Sequence, residues 1–218
     1  MILDLSEKEY LKFAIYLIMS FDKDKEKTMN KFAKALEKGE VDKPIIPLLK
    51  FINSLSDFYT TSSCAGRIIL LHEFGKRKID NKFILKEHDK INTELFLNKD
   101  FGDSKGRVWL KQEPFIIHIV ARTLKDAETM LNLGLKSGLK HSGVFVFKSE
   151  RYILELNGTQ NLSVPIAEKG KLLIQKDYLK YLLSIADEKL KKNKETREKF
   201  EKLVRYEFNL KNLQIKIC

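Results

Sequence analysis

The chain has 218 residues, and 41 Lys and Arg against 30 Asp and Glu give a formal net charge of +11. This excess favours a polyanionic partner such as nucleic acid, although heat-adapted proteins also carry Lys- and Glu-rich surfaces. The two cysteines, Cys64 and Cys218, are too few for a disulfide framework or a zinc site, so we expect no metal and a reducing compartment. The charged N-terminal region is unlike a signal peptide and no apolar run is of membrane-spanning length, so we expect a cytoplasmic protein without a membrane partner.

Three helices are predicted before residue 60. A capping box at residues 6–9 begins the first helix, and a charged turn at residues 22–25 separates it from a second that ends at Gly39. Asp42 is placed to cap the third helix, with Pro44 in its first turn. The buried side of this third helix is predicted to carry Ile45, Leu48, Leu49 and Ile52.

Residues 60–67, Thr-Thr-Ser-Ser-Cys-Ala-Gly-Arg, interrupt strand-forming sequence with small hydroxyls, a thiol, a glycine and an arginine. We call them the octet and predict that they form an active-site loop. Gly66 allows a close backbone approach or a positive φ, and Arg67 offers a planar fork that matches a carboxylate or phosphate. The alternative is a tight hairpin turn around a buried free cysteine.

The rest of the chain alternates strands and helices. Residues 72–106 are difficult to interpret and could be a mobile flap, an irregular insertion or a domain boundary. Residues 115–120 predict a central strand, and Thr123 and Asp126 cap a helix that ends at Gly138. Further strands are predicted at residues 144–147, 152–156, 162–166 and 172–174, the first two forming a hairpin.

The final predicted element is a long helix with an apolar stripe from Leu179 to Leu190, followed by a basic C-terminal half that we expect to protrude. The whole pattern predicts one α+β domain, residues 1–218, of mixed β-sheets with packed helices. Two blocks of strands, each followed by a helix, hint at a two-fold internal β-α duplication.

The octet resembles the signature of the tRNA wybutosine-synthesizing protein 3 family. Similar motifs occur in the same order on either side of it: Gly39-Glu40-Val41-Asp42 upstream, and Glu113-Pro114-Phe115-Ile116-Ile117-His118, Arg122, Ser142-Gly143, Val164-Pro165 and Lys169-Gly170-Lys171-Leu172 downstream. The resemblance covers roughly residues 20–200.

The resemblance implies an S-adenosylmethionine-dependent methyltransferase with a non-Rossmann fold. Its family reaction methylates N4 of 7-aminocarboxypropyl-demethylwyosine at position 37 of tRNA-Phe, so the expected partner is the anticodon arm. The sequence has no G-x-G-x-x-G, P-loop, H-E-x-x-H, paired C-x-x-C or G-x-S-x-G motif. A non-enzymatic RNA-binding protein and a small-molecule enzyme of another type remain the alternatives.

The resemblance also suggests roles for individual residues. Cofactor binding is assigned to Ser62, Ser63, Gly66 and Arg67. The catalytic candidates are Asp42, His88, His118, Ser63 and Cys64, with Cys64 lining the pocket without attacking. Substrate binding is assigned to Arg122, Ser142, Lys191 and Lys194. Structural alternatives stay open: Asp42 as an N-cap, His118 in the core, His88 on the surface, Arg122 in an ion pair, and the lysines as a solvated helix end.

Overall fold

The computed structural model describes residues 7–75, 80–88, 90–102, 105–148 and 151–215, and of these the side chains of residues 20–210. Five helices are described: α1 (Glu7–Glu37), α2 (Ile46–Ser54, entered through a 3-10 turn at Lys43–Ile45), α3 (Thr93–Leu97), α4 (Leu124–Ser137) and α5 (Lys176–Ile215). The predicted capping residue Ser6 and the second cysteine, Cys218, lie outside the described residues. No described helix combines the length and the apolar character that crossing a membrane requires.

The strands form two sheets. The first has the order β1-β5-β7-β6 and the second the order β3-β2-β4-β8-β9. The strand bounds are β1 Phe58–Cys64, β2 Arg67–Glu73, β3 Asn81–Glu87, β4 Arg107–Glu113, β5 Ile116–Ala121, β6 Gly143–Lys148, β7 Arg151–Asn157, β8 Leu162–Glu168 and β9 Lys171–Leu172. Every strand pairing among the described residues is antiparallel, so the α+β class is confirmed with antiparallel rather than mixed sheets.

The chain crosses between the sheets three times, because β1 lies in the first, β2 to β4 in the second, β5 to β7 in the first, and β8 and β9 in the second. The two sheets are therefore not built from two consecutive blocks of sequence. The octet contains the first crossing. Its first five residues belong to β1, only Ala65 and Gly66 connect, and Arg67 begins β2. The predicted loop is thus a strand end and a two-residue connection, and it is not a hairpin turn either, since β1 and β2 lie in different sheets.

Each sheet has its own apolar core. One face of the first sheet packs against α2, α4 and the C-terminal half of α5, which contributes Phe200, Val204 and Phe208. The second sheet packs against α3 and the N-terminal half of α5, where the predicted stripe from Leu179 to Leu190 is buried. The prediction of a protruding C-terminal half was wrong, because apolar residues recur at helical spacing after residue 199 and the helix continues into the first core.

The long first helix also differs from prediction. Residues 22–25 continue α1 without a turn, since they contain neither glycine nor proline. Asp22 bonds Arg122, and Lys25 donates to the Leu55 carbonyl. Through Phe21, which packs on Tyr59 and Val120, α1 covers part of the outer face of the first sheet. The region that was difficult to interpret from sequence, residues 72–106, contains β3 and α3 at the second core in its described parts.

Candidate active site at the junction of the two sheets

The connection Ala65-Gly66 is clamped by side chains from three directions. The Ala65 N–H donates to Oδ2 of Asp42 at 2.9 Å. The Ala65 carbonyl accepts from Nδ2 of Asn193 and Nη1 of Arg197, both at 3.0 Å, and the Gly66 carbonyl lies 3.0 Å from Nδ1 of His88. Helix α5 and the segments before α2 and after β3 therefore fix the backbone at which the chain changes sheets.

Glycine is required at this crossing. Gly66 has φ +86°, in the left-handed region that side chains disfavour. A Cβ atom there would collide with the amide of Asn193 and lie 3.1 Å from the backbone nitrogen of Phe115. The predicted close approach at Gly66 is thus made by α5 of the same chain.

Asp42, Cys64 and His88 form one polar cluster beside the clamp. Oδ1 of Asp42 lies 3.2 Å from Nε2 of His88, and the side chains of both residues are 18% exposed. Asp42 precedes the 3-10 turn but its side chain makes no capping bond, so it serves the octet instead. Burial raises the pKa of the Cys64 thiol to about 11, so the thiol stays protonated at neutral pH.

A second cluster lies across three strands of the first sheet. Ser62, His118 and Glu155 occupy matching positions on β1, β5 and β7. Oγ of Ser62 is 2.5 Å from Nδ1 of His118, and Nε2 of His118 is 2.9 Å from Oε2 of Glu155. The ring of the exposed Phe145 meets that of His118 edge-on, with centroids 5.6 Å apart. His118 is therefore a partly exposed histidine with a hydrogen-bond partner at each ring nitrogen, and not a core histidine.

Two cavities open on either side of this region. The first, of about 290 Å³, lies between α1 and β1, and residues 60–63 form one wall while Phe32, Val41 and Leu49 supply apolar surface. The second, of about 480 Å³, lies between the segment after β3 and α5. Its lining includes His88, Lys191 and Lys194. The octet thus contributes Ser62 and Ser63 to the first cavity, while His88, whose ring bonds Gly66, lines the second.

Arg67 lies on the other side of the connection. Its Nε donates to Oε2 of Glu113 at 2.7 Å, and its guanidinium stacks over the ring of Phe83 at 4.8 Å. The structure does not place Arg67 in the lining of the cavity that Ser62 and Ser63 share. The four residues assigned to the cofactor therefore lie in three different places. Ser62 and Ser63 line a cavity, Gly66 is in the buried connection, and Arg67 is ion-paired at the start of β2.

Two residues assigned to the substrate have structural partners. The Arg122 guanidinium bonds Asp22 at 2.5 Å and Asp57 at 2.9 Å and stacks on Phe21, which ties α1 to the first sheet. Burial disfavours its charge, but these carboxylates outweigh that effect and raise the Arg122 pKa. The Ser142 hydroxyl donates to Leu139 and accepts from the Asn157 N–H. In this structure both side chains bond other parts of the same chain. For Arg122 this corresponds to the alternative that it forms an ion pair.

Of the basic residues on α5, Arg197 is only 5% exposed. It belongs to the clamp and not to an outer surface. Lys191 pairs with Asp187 at 2.7 Å, and Lys194 lies on the same cavity wall.

Sequence reasoning missed Glu155, Asn193 and Phe145. Glu155 stands between Leu154 and Leu156, so its alternation on a strand indicated only an outward side chain. Its link to His118 depends on the pairing register between β5 and β7, which no local pattern gives. Asn193 lies in the run of charged residues that predicted a solvated helix end. The one signal for its role was an amide side chain among lysines, at a helical position that turns inward.

The fold and this junction define an α+β protein whose polar site lies between two antiparallel sheets, outside the Rossmann class of nucleotide-binding folds. Residues 23–206 match the family described as Methyltransferase TYW3, and the chain belongs to this family. The family predicted from the octet is thereby confirmed.

Relatives of known name cover most of the chain. It is 34% identical over 187 residues to a Pyrococcus abyssi protein, covering 85% of this chain and 96% of the relative, which is named tRNA(Phe) 7-((3-amino-3-carboxypropyl)-4-demethylwyosine(37)-N(4))-methyltransferase 1. The human tRNA wybutosine-synthesizing protein 3 homolog is 36% identical over 170 residues, which are 75% of this chain and 64% of the human protein. The solved structure of the PH1069 protein from Pyrococcus horikoshii superposes with a TM-score of 0.77 at 31% identity, over 85% of this chain and 96% of that one.

Proposed function

We propose that the protein is a tRNA(Phe) methyltransferase that transfers a methyl group from S-adenosylmethionine to N4 of 7-aminocarboxypropyl-demethylwyosine at position 37. The observation that supports this most strongly is the octet, which resembles the signature of the family and supplies Ser62 both to a cavity wall and to the hydrogen-bonded chain with His118. We further propose one domain, because α5 packs in both cores, and a cytoplasmic location, where tRNA is modified.

The first cavity suits the cofactor. Its wall of hydroxyls from residues 60–63 can bond the ribose and amino-acid parts, and Phe32, Val41 and Leu49 can cover the adenine. S-adenosylmethionine supplies the methyl group as a sulfonium. Transfer then requires that N4 approach in line and that its proton leave.

The relay of Ser62, His118 and Glu155 accepts that proton. As the methyl group bonds N4, the N4 proton passes to Oγ of Ser62, and the hydroxyl proton of Ser62 passes to Nδ1 of His118. The carboxylate of Glu155 stabilises the resulting imidazolium. The Asp42 and His88 pair is less suited, since Oδ2 of Asp42 and Nδ1 of His88 are both engaged with the octet backbone.

Replacing His118 with Gln tests the relay. We expect the methylation rate to fall by about 10² to 10⁴, the usual contribution of general base catalysis, while calorimetry shows unchanged S-adenosylmethionine binding. Product is read by mass spectrometry of tRNA(Phe), and the exposed His141→Gln is the control. If His118→Gln keeps the wild-type rate while Asp42→Asn loses it, the proton acceptor is the Asp42 and His88 pair.

Arg67 tests the cofactor assignment. If its guanidinium pairs the cofactor carboxylate as well as Glu113, Arg67→Ala should weaken S-adenosylmethionine binding by about 1.5 to 3 kcal/mol in calorimetry without RNA. Arg107→Ala is the matched control, because Arg107 lies on β4 of the same sheet and pairs with Glu73 and Glu168. Equal affinities for the two variants would remove Arg67 from the cofactor site.

The basic face of α1 is proposed to hold the backbone of the anticodon arm. Lys23, Lys27, Lys31 and Lys34 line one surface depression, and Lys31 also borders the first cavity. An RNA backbone bound along α1 would therefore reach the first cavity, where Ser62 of the relay lies. Beyond His118, Phe145 and Phe147 are 57% and 65% exposed, so an unstacked base can lie against an aromatic ring beside the relay.

Salt dependence of tRNA binding tests this face. Neutralising Lys27 and Lys31 with Gln should reduce the slope of log affinity against log salt by about 1.4 to 1.8. The same change at Lys191 and Lys194 tests the substrate assignment on α5 and should leave the slope unaltered, because these lysines border the other cavity. The reverse result would move the RNA to the α5 side.

A further inference from the structure

Three side chains of different chemistry meet beside the octet connection. Asp42 comes from the segment before α2, Cys64 from the end of β1, and His88 from the residue after β3. One carboxylate oxygen, the thiol sulfur and one ring nitrogen of these residues all lie within 4.8 Å of one another. Oxygen, sulfur and nitrogen donors so close together are a ligand set that suits Zn²⁺.

The hydrogen bonds around His88 leave one ring nitrogen facing this cluster without a donor partner. Nδ1 lies 3.0 Å from the Gly66 carbonyl, which can only accept, so Nδ1 carries the proton. In the neutral ring, Nε2 then presents a lone pair towards Oδ1 of Asp42, 3.2 Å away, which is also an acceptor. The buried Nε2 makes no hydrogen bond of normal geometry. A cation between the two acceptors removes this conflict.

The surroundings have the form of an outer coordination shell. A metal-binding histidine usually donates its other N–H to a carbonyl or carboxylate, as His88 does to Gly66, and a ligating carboxylate is usually hydrogen-bonded itself. Oδ2 of Asp42 is held in this way by the Ala65 N–H at 2.9 Å. Both ligands are thus oriented by the backbone of the octet.

We propose that Asp42, Cys64 and His88 bind one Zn²⁺ ion through Oδ1, Sγ and Nε2. Zinc bond lengths of about 2.0 to 2.3 Å place tetrahedral ligand atoms about 3.4 to 3.6 Å apart, close to the 3.2 Å between Oδ1 and Nε2. The sulfur starts within 4.8 Å of the other two ligand atoms, so it has to approach by no more than about 1.4 Å. The thiol proton leaves to solvent as the zinc–sulfur bond forms. A fourth ligand can be water, as in zinc sites with three protein ligands.

This inference departs from the expectation that two cysteines allow no metal, since the site uses one thiol and ligands far apart in sequence. It goes beyond the proposed methyl transfer and does not depend on it. The ion would join the ends of β1 and β3 to the segment before α2, and so would fix the connection between the sheets.

Cobalt provides the test, because Co²⁺ replaces Zn²⁺ and reports thiolate ligation by a charge-transfer band and intense visible bands. We expect the metal-free full chain to bind one equivalent of Co²⁺ with both features, and Zn²⁺ to displace it. Zn²⁺ at 100 times its Kd should raise Tm by about 5 to 10 °C. Cys64→Ser should lose the charge-transfer band and bind Zn²⁺ at least about 100-fold more weakly, while remaining folded by circular dichroism.

Matched controls are Cys218→Ser and His141→Ala, which should bind Co²⁺ like the wild type. The proposal is overturned if the folded wild-type chain shows no cobalt spectrum. It is equally overturned if the charge-transfer band survives in Cys64→Ser, or disappears in Cys218→Ser, since the metal then binds elsewhere. His88→Gln, which keeps a donor for the Gly66 carbonyl, should weaken Zn²⁺ binding in parallel with Cys64→Ser.

Discussion

Asn193 should be among the most stabilising polar side chains of the chain. It is 2% exposed, and its amide accepts from the Phe115 N–H at 2.5 Å and donates to the Ala65 carbonyl at 3.0 Å. In Asn193→Ala, the Phe115 N–H loses its acceptor at a cost of about 1 to 3 kcal/mol. The Ala65 carbonyl keeps its bond from Arg197, so the second loss is about 0.5 to 1.5 kcal/mol. The two losses together give an expected destabilisation of about 1.5 to 4.5 kcal/mol.

The matched control is Asn209→Ala, the same substitution at an exposed position of the same helix. It should stabilise the protein by up to about 0.6 kcal/mol, since Ala has the higher helix propensity. Urea unfolding gives the two free energies, and thermal unfolding should separate the variants by about 5 to 15 °C for a chain of this size. If both variants unfold at the same urea concentration, the clamp contributes nothing and the account of the junction is wrong.

Two further predictions concern the stability of the fold. Gly66→Ala should destabilise by at least about 2 kcal/mol in urea, because it combines a positive φ with a collision, whereas Gly143→Ala, with open space around its Cβ, should change stability by less than about 1 kcal/mol. The Arg122 hydrogen bond lowers the Asp22 pKa, so the stability from this pair is present above the unfolded pKa near 3.8 and is lost as pH falls through the folded value. Urea unfolding at pH 7 and pH 3 should therefore show Arg122→Ala closest to wild type at the lower pH; an equal difference at both would contradict the pairing.

Elements with local signals were predictable. Helix α4 begins where Thr123 accepts from the Asp126 N–H and ends at Gly138 in the left-handed conformation, as the cap pattern indicated. The central position of β5 followed from its continuous apolar run, since β1 and β7 cover both of its edges. These features depend on neighbours in sequence, which periodicity and capping rules describe directly.

Features that depend on long-range pairing were not predictable. The ion pair that joins Asp22 to Arg122, 100 residues away, could not be seen in the charged run at residues 22–25. The role of Asp42 as a support for Ala65 needs a contact 23 residues along the chain, and only the capping alternative was visible locally. Ser62 and His118 were both named as site residues, but their contact and the third member, Glu155, required the strand register.

The three crossings of the chain between the two sheets affect the order in which the protein can fold. Strand β1 has to wait for β5, and β4 for β8, so each sheet closes over a loop of about 50 residues and neither is completed before the other has begun. The octet connection then receives its last hydrogen bonds from Asn193 and Arg197, which follow every strand in the sequence. A ribosome-bound chain that has emerged only as far as β9 holds all the strands that the structure describes but lacks the two hydrogen bonds from α5 to the crossing, so competence for ligand binding should arise late in synthesis.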